Sequence, residues 1–445
     1  MTEFRLNLPE RGKARKERER QTETHRTLST VANEPETSPR LHRLPHEPST
    51  AMPSITRNPL LVETNPLYQD YNPQLAKERL LARKNPWTGW FTRETAHEPI
   101  WMRDDNVLES FTHFRSEDYE ELMACLNWNR DSYFTTSTGI NYGTRYGLVV
   151  LLFRLSGSQE YKSMAWFFSS SMGNLGTIFN DILWRFYNST RHMLKHIEQW
   201  KPLFNTFGNS IQRVFAQQPG IHHFPGLREQ IFIGFVDGTN LPIQKPTGPV
   251  EQAFYSGHHK QHEAAFQITS APNGMILHCQ GPLPGTRNDI QLFHDCSRTN
   301  LCIDLCECTQ VGEQFPLLIG DPAYHPERLI ATAKKPDPGC ELSREAQNYN
   351  GILANVRVEV ERTIGALKTK FGMIGNDGRR LKLGESAVSP IWDSCCILHN
   401  LVLTCRSRRN IRRPDRFACP LPTMAGYFQL HSKHAPINNG LPRLI

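Results

Sequence analysis

Three acidic residues stand where a divalent metal ion could be bound. Asp237 ends a strand-like apolar run, Ile231–Gly238 (IFIGFVDG), and Asp321 follows a second such run, Phe315–Gly320 (FPLLIG). Glu361 lies in the segment VRVEVERTIGALKTKF, whose periodicity predicts a helix. A strand-end Asp holds a short carboxylate in one direction, and a Glu on a helix across that edge reaches farther. Because Mg²⁺ prefers hard oxygen ligands, these acids predict a shared metal site.

Such a site suits phosphodiester cleavage, because two Mg²⁺ ions about 4 Å apart stabilise both the attacking and the leaving oxygen. Each acid also has an ordinary interpretation. Asp-Gly and Asp-Pro are common in turns, and a helical Glu often pairs with a neighbouring cation. The residues by themselves leave both readings open.

Helical geometry selects Glu361 over Glu359 as the third acid. An apolar stripe is formed by Val360, Ile364, Leu367 and Phe371. A neighbouring stripe combines an acid, two cations and a glycine that permits close approach, namely Glu361, Arg357, Lys368 and Gly365. Glu359 lies about 200° around the helix from Glu361. We therefore expect Glu361 to share its face with groups suited to metal and phosphate.

Strands and helices around these acids indicate a mixed α/β sheet covered by helices. The segment LPIQKP after Asp237 predicts a second or edge strand that Pro246 ends. Two further strands, Glu263–Thr269 and Met275–Gln280, flank the turn PNG and predict an antiparallel run.

The stretch 96–215 predicts an all-helical region. Ser116 is a candidate helix cap, and a second helix fits Tyr146–Ser156. Two more helices flank a turn near Ser171–Gly173, the later one starting at about Asn174. This pair is either a DNA-reading helix-turn-helix or an ordinary hairpin with an aromatic core.

Polar and basic sequence occupies both ends of the chain. Residues 1–95 predict a disordered arm, because they carry too few apolar residues to offset the entropy cost of ordering. Within it, Arg11–Arg20 is either a nuclear-localisation or DNA-tethering patch or a solvated charged tail. At 404–445 a basic tail either binds phosphates or is solvated, and its densest run is Arg406, Arg408, Arg409, Arg412 and Arg413.

Composition favours a polyanionic partner and an intracellular setting. The 445-residue chain has a formal net charge of +7, a mild basic excess that is also common in other soluble proteins. Its eleven cysteines show no regular disulfide spacing, no secretory signal is recognised, and no run approaches the roughly 20 apolar residues that span a bilayer. We expect reduced thiols and no membrane partner.

Other histidines and cysteines could bind metal, but we favour ordinary structural interpretations for them. Structural or DNA-contact roles are expected for His258, His259 and His262. Free thiols, rather than a zinc site, are expected for Cys296, Cys302, Cys306 and Cys308, whose C-x₃-C-x-C spacing departs from paired zinc motifs. Cys395 and Cys396 are expected to be buried small hydrophobes.

Six ordered motifs then carry a family resemblance: VDGTNLPI, YSGHHKQH, PGTRNDIQLF, IGDPAY, VERTIGALK and CCILHN. Over about 230–402, and more loosely over 110–215, the chain resembles PIF/Harbinger-type transposases and the nucleases derived from them. The resemblance implies an RNase H-like DDE core over 228–403, with Asp237, Asp321 and Glu361 as the metal-binding catalytic triad. The chain departs from the family's motifs at two positions. Asn288 stands where the family often has His, and Pro322 stands where the family typically has a small residue. Asp289 is expected to be structural.

The expected activity is that of a DDE transposase or endonuclease using Mg²⁺ or Mn²⁺. Water would cleave a phosphodiester at a transposon end, and the resulting 3′-hydroxyl would attack target DNA. DNA contacts are expected from Arg357, Arg362, Lys368, Arg408 and Arg409. We also expect a nuclear location, a separate Myb-like DNA-binding partner, and a homo-oligomer when active. The alternative is a domesticated, non-catalytic DNA-binding or scaffolding protein, which loss of an acid would favour; all three acids are present.

Overall fold

The structure is a computed structural model that describes residues 100–157, 159–288, 291–293, 316–324, 329–375, 380–384, 386–411 and 416–435. Several sequence predictions lie outside these residues: the 1–95 arm with its basic run, Asp289, the cysteines from Cys296 to Cys308, and Arg412 with Arg413.

Helices come first along the described chain. Their bounds are α1 Asp105–Thr112, α2 Ser116–Cys125, α3 Thr144–Ser156, α4 Tyr161–Phe168, α5 Met172–Thr190, α6 Phe204–Ala216 and α7 Pro225–Glu229. A small hairpin, β1 Tyr133–Thr135 and β2 Asn141–Gly143, precedes α3. The predicted helices are confirmed here, although the side chain of Ser116 does not cap α2, whose preceding residue is Arg115.

The main sheet follows, and six strands form it within the described residues. Its strands are β3 Ile231–Pro242, β4 Tyr255–Ser256, β5 Gln261–Ser270, β6 Ile276–Pro284, β7 Pro316–Gly320 and β8 Ile330–Ala331. β6, β5 and β3 pair antiparallel, whereas β3, β7 and β8 pair parallel. The sheet is therefore mixed, and the predicted antiparallel strands around PNG are confirmed.

β3 is longer than the sequence predicted. The expected break after Asp237 is absent from this described strand, which runs on to Pro242. Its second half stays extended because Asp237 through Pro242 pair with Ile268 through Glu263 of β5. The prediction of a separate strand over LPIQKP is therefore wrong. Leu241 and Pro242 are the last residues of β3, and Ile243 forms an isolated β-bridge with Leu381.

Three helices close the described chain: α8 Arg344–Lys370, α9 Val388–Arg408 and α10 Met424–Leu430. α9 packs against both α5 and β6, and it is buried over most of its length. Its Asn400 side chain binds the backbone of Ile276 twice, accepting from the N–H and donating to the C=O at 2.8 Å each. This contact gives the CCILHN motif a structural role at the start of β6. The predicted burial of Cys395 and Cys396 is confirmed.

One continuous apolar core runs through the described helices and the sheet. α3 is buried on nearly every side, and α6 packs on β3. Trp200, just before α6, donates from its indole nitrogen to the carbonyl of Leu277 in β6 at 3.2 Å. The early helices therefore help to fix the sheet that carries the acids. Searching the described helices for one long and apolar enough to cross a bilayer finds none.

Candidate active site

Strand register places Asp237 and Asp321 next to each other. The parallel ladder between β3 and β7 ends with the pair Val236 and Gly320; Asp237 is the next residue of β3, and Asp321 directly follows β7. Parallel neighbours in register bring their carboxyl ends to the same edge of a sheet. The two carboxylates therefore emerge side by side, as the sequence predicted.

Local hydrogen bonds orient both carboxylates. Oδ1 of Asp237 accepts from the N–H of Gly238 at 3.0 Å. Oδ1 of Asp321 accepts from the N–H of Ala323 at 2.7 Å, an arrangement typical of an Asp that opens a turn. Each Asp thus has one oxygen turned toward its own backbone, and the remaining Oδ2 atoms face a common cation.

α8 brings the third acid to this edge. Ser343 caps the helix by accepting from the N–H of Ala346 at 3.1 Å. The predicted apolar stripe is buried and holds α8 on the sheet; its members are Val360, Ile364, Leu367 and Phe371. Because Glu361 lies on the neighbouring face, this packing turns its half-exposed side chain toward the two Asp residues.

Arg357 joins the three acids, since its guanidinium contacts every one of them. Its Nη1 lies 3.7 Å from Oδ2 of Asp237. Its Nη2 lies 3.6 Å from Oδ2 of Asp321 and 2.5 Å from Oε1 of Glu361. Carboxylate oxygens are the donors that a hard divalent ion prefers, so the donor type of the three acids suits Mg²⁺ or Mn²⁺. With Arg357 among them, the ligand atoms of the three acids do not all lie within 4.8 Å of one another.

Glu359 lies on a different side of α8 from Glu361, as helical geometry predicts. Glu359 pairs with Arg362 at 3.6 Å and lines a cleft of about 420 Å³. The same cleft is lined by Lys370, Arg406 and Arg416. Arg362, expected at the DNA, thus belongs to this basic cleft rather than to the acidic site.

Lys368 and Gly365 share the face of Glu361, as predicted. The Lys368 ammonium donates to the carbonyl of Asn240 at 2.8 Å, which anchors it beside the second half of β3. Burial lowers the pKa of Lys368, and the nearby Glu263 opposes that effect. Gly365 is open, because a Cβ added there would meet nothing within 4 Å. Open space therefore borders Glu361 at this position.

The histidines of the YSGHHKQH motif take different positions. Nδ1 of His259 lies 2.8 Å from Oε2 of the buried Glu263. His258 is exposed, and His262 packs its ring edge-on against Tyr255. The contact between His259 and Glu263 agrees with the structural role that the sequence favoured.

Arg408 and Arg409, expected to contact DNA, are already paired with acids. Arg408 lies 3.0 Å from Glu117, 2.5 Å from the buried Asp118 and 2.6 Å from Glu121. Arg409 pairs with Asp118 at 2.9 Å and with Glu109 at 3.2 Å. These ion pairs balance both charges and fasten the end of α9 to α1 and α2.

These ion pairs give both arginines a structural role, and their expected contact with phosphate stays a prediction. The described part of the C-terminal segment is folded rather than a solvated tail. There the chain continues as α9 and then forms α10, with Met424 and Tyr427 buried.

The predicted helix pair is α4 and α5, joined by a turn at Ser169–Ser171. Ser171 caps α5 by accepting from the N–H of Asn174 at 3.1 Å. Phe168 belongs to the core, whereas Trp166 is 85% exposed. The aromatic residues of this pair are thus divided between the core and the surface.

A histidine cluster went unnoticed in the sequence. Ligand atoms of His196, Glu198 and His434 lie within 4.8 Å of one another, in a part of the fold that the acids do not occupy. The spacings H-x₃-H-x-E at 192–198 and H-x-x-H at 431–434 could have drawn attention to it. Nothing local, however, relates two segments so far apart in the chain.

Comparison with known proteins agrees with this geometry. Residues 236–400 match the family described as DDE superfamily endonuclease. No curated protein and no solved structure matches the chain. The matched segment contains Asp237, Asp321, Arg357 and Glu361. This part of the chain is therefore similar to DDE endonucleases of the transposase-derived type, which supports a nuclease or transposase type of function.

Proposed function

We propose that this protein is a metal-dependent DNA endonuclease or transposase whose catalytic residues are Asp237, Asp321 and Glu361. The observation that carries the proposal is the convergence of all three carboxylates on the guanidinium of Arg357. Arg408 also contacts three acids, so the number of acids alone does not set the site apart. What supports a site for divalent ions is that Asp237 and Asp321 stand side by side at the ends of a parallel strand pairing, with Glu361 on the helix that packs against both strands.

The sheet supports assigning 228–403 to an RNase H-like nuclease core. Three antiparallel strands, β6, β5 and β3, continue into two parallel ones, β7 and β8. The first acid stands on β3, the second directly follows its parallel neighbour β7, and the third lies on a helix packed against both strands. Within our proposal, 96–215 is a helical region that supports this core and 404–445 is a C-terminal segment.

In the proposed mechanism the three acids hold two divalent ions, which when bound stabilise the charge on the attacking and leaving oxygens of the phosphodiester. Arg357 then has fewer carboxylates to neutralise and can contact the scissile phosphate. Lys368, fixed by Asn240, supplies a second cation on the same face. The open surface at Gly365 leaves room for a DNA backbone beside Glu361.

The finer assignment follows the motif resemblance. We propose a PIF/Harbinger-type enzyme that cleaves transposon ends and joins the 3′-hydroxyl to target DNA. It would act in the nucleus, as a homo-oligomer, with a Myb-like partner that recognises the DNA. The helix pair α4 and α5 is a proposed further DNA contact.

The test is a nicking assay on plasmid DNA that carries the inverted repeats flanking the gene, with Mg²⁺ or Mn²⁺ and the partner supplied. We expect Asp237→Ala, Asp321→Ala and Glu361→Asp each to reduce cleavage by about 100-fold or more, because each removes or shifts a metal ligand. Glu359→Gln is the matched control on the same helix and should cleave like the wild type.

Two results would count against the proposal. Cleavage that persists in all three triad variants removes the catalytic role of these acids. A wild-type protein that binds this DNA without cleaving it points instead to the domesticated DNA-binding or scaffolding protein. Arg357 would then be a permanent counter-charge for the acids.

A further inference from the structure

A second group of side chains that could bind a metal ion lies at the junction between the early helices and the C-terminal segment. Nε2 of His434 lies 3.1 Å from Oε1 of Glu198, and Nδ1 of His196 lies 3.6 Å from the same oxygen. Two ligands bound at 2.0–2.1 Å to a tetrahedral zinc ion lie about 3.3–3.4 Å apart. Both measured distances fall within a few tenths of an ångström of that value, so these atoms need little movement to share one ion.

Two more histidines supply candidates for a fourth ligand. His431 is buried, and its Nδ1 lies 2.6 Å from Oε1 of Gln199. Its Nε2 has no hydrogen-bond partner among the described residues, and the ring of His192 faces the backbone of His431. A ligating His typically uses its second nitrogen to bind a neighbouring oxygen, which is the arrangement of His431 with Gln199.

An ordinary ion-pair cluster explains these contacts less well. The rings of His196 and His434 stack with centroids 4.5 Å apart at 16°, an arrangement in which two protonated imidazoles would repel each other. Oε2 of Glu198 is also buried without a hydrogen-bond partner among the described residues. Two imidazoles with one carboxylate form a donor set typical of Zn²⁺.

The position of the cluster indicates a structural role. His196 and Glu198 belong to the connection before α6, whereas His434 follows α10 near the end of the described chain. The two segments already touch, because Trp200 packs against the rings of Tyr427 and His431. An ion held by both segments would fasten the C-terminal segment to the helices that support the sheet.

We propose that His196, Glu198 and His434, with His192 or His431 as a fourth ligand, form a structural zinc site that fastens the C-terminal segment to the early helices. This site is separate from the acidic one and does not depend on the proposed nuclease function. It uses nitrogen-rich ligands, whereas the acids of the sheet offer oxygen ligands for Mg²⁺.

The test is metal binding by the purified full chain after treatment with a chelator. Titration with Zn²⁺ followed by calorimetry, and with Co²⁺ followed by visible absorption, should show one ion in a tetrahedral site. We expect His196→Ala, His434→Ala and Glu198→Gln each to weaken Zn²⁺ binding by about 100-fold, as the loss of a direct ligand should exceed the effect of a supporting contact. His222→Ala, at an exposed histidine outside the cluster, is the control.

Glu198→Gln keeps the shape of the side chain, so it separates metal binding from misfolding. Zn²⁺ should raise the melting temperature of the wild type and of Asp237→Ala, but not that of Glu198→Gln. The proposal is overturned if the wild type binds neither Zn²⁺ nor Co²⁺. It is equally overturned if the cluster variants bind Zn²⁺ as tightly as His222→Ala does.

Discussion

Arg357 is the residue on which the electrostatics of the acidic site depend. Its side chain is 19% exposed and touches all three carboxylates, of which Glu361 is the most open to solvent at 49%. Without the guanidinium, three like charges would face one another at the sheet edge. A divalent ion bound to those carboxylates would then replace the lost counter-charge.

The substitution Arg357→Gln should therefore make stability depend on divalent ions. In the presence of a chelator we expect a loss of about 1 kcal/mol in the free energy of unfolding, a modest value because the site is partly solvated. Adding Mg²⁺ should recover most of that loss. Urea unfolding with and without Mg²⁺ measures both effects.

Arg362→Gln is the matched control, since Arg362 is an exposed neighbour on α8 that pairs only weakly, at 3.6 Å, with Glu359. It should lose less stability and show no additional response to Mg²⁺. An Arg357→Gln protein that unfolds identically in chelator and in Mg²⁺ would contradict the role assigned to Arg357.

At the scale of single elements, α8 combines a buried stripe with an open catalytic face. Gly365 lies in the helix interior, yet an added methyl group would meet no other atom within 4 Å. Gly365→Ala should thus raise the free energy of unfolding by about 0.5–1 kcal/mol through improved helix propensity. Thermal unfolding gives the measurement.

Gly234 in β3 is the contrasting position. A Cβ there would collide with the backbone carbonyl of Ser270 on β5, so Gly234→Ala should destabilise the protein by about 2 kcal/mol or more. If Gly365→Ala proved as damaging as Gly234→Ala, the face beside Glu361 would not be open as described.

α9 stabilises the sheet through one side chain. Asn400→Ala removes both hydrogen bonds to the buried backbone of Ile276 and leaves that N–H and C=O without partners. We expect a loss of about 2–3 kcal/mol, because unsatisfied buried polar groups carry their full desolvation cost. Chemical denaturation checks this value, and Asn209→Ala at an exposed position on α6 should change it little. A small effect of Asn400→Ala would show that water replaces the lost contacts.

These element-level features differ in how far the sequence predicts them. The 3.6-residue period of α8 is enough to separate Glu361 from Glu359, because the buried stripe fixes the helix rotation. The turn PNG likewise predicts β5 and β6. The end of β3 was mispredicted because Asp237-Gly238 looks like a turn, whereas pairing with β5 keeps the strand extended.

Across the whole molecule, contacts between distant segments lie beyond such local reasoning. Asp118 and Arg408 are 290 residues apart, and only the folded chain shows that Arg408 and Arg409 are paired with acids. The pairing of His196 and Glu198 with His434 is of the same kind. Residue type suggested chemistry for the arginines but not for the histidine cluster, and in both cases the contacts depend on a partner far away in the chain.

The central claim is that Asp237, Asp321 and Glu361 form one site for divalent ions. Its most direct test is Mn²⁺ binding followed by electron paramagnetic resonance, in a Glu198→Gln background so that the histidine cluster does not contribute. Our account predicts that Asp237→Asn, Asp321→Asn and Glu361→Gln each weaken Mn²⁺ binding by about 10-fold or more, while Glu359→Gln leaves it unchanged. Mn²⁺ affinity that is unaltered by all three triad substitutions, or lowered equally by Glu359→Gln, would contradict it.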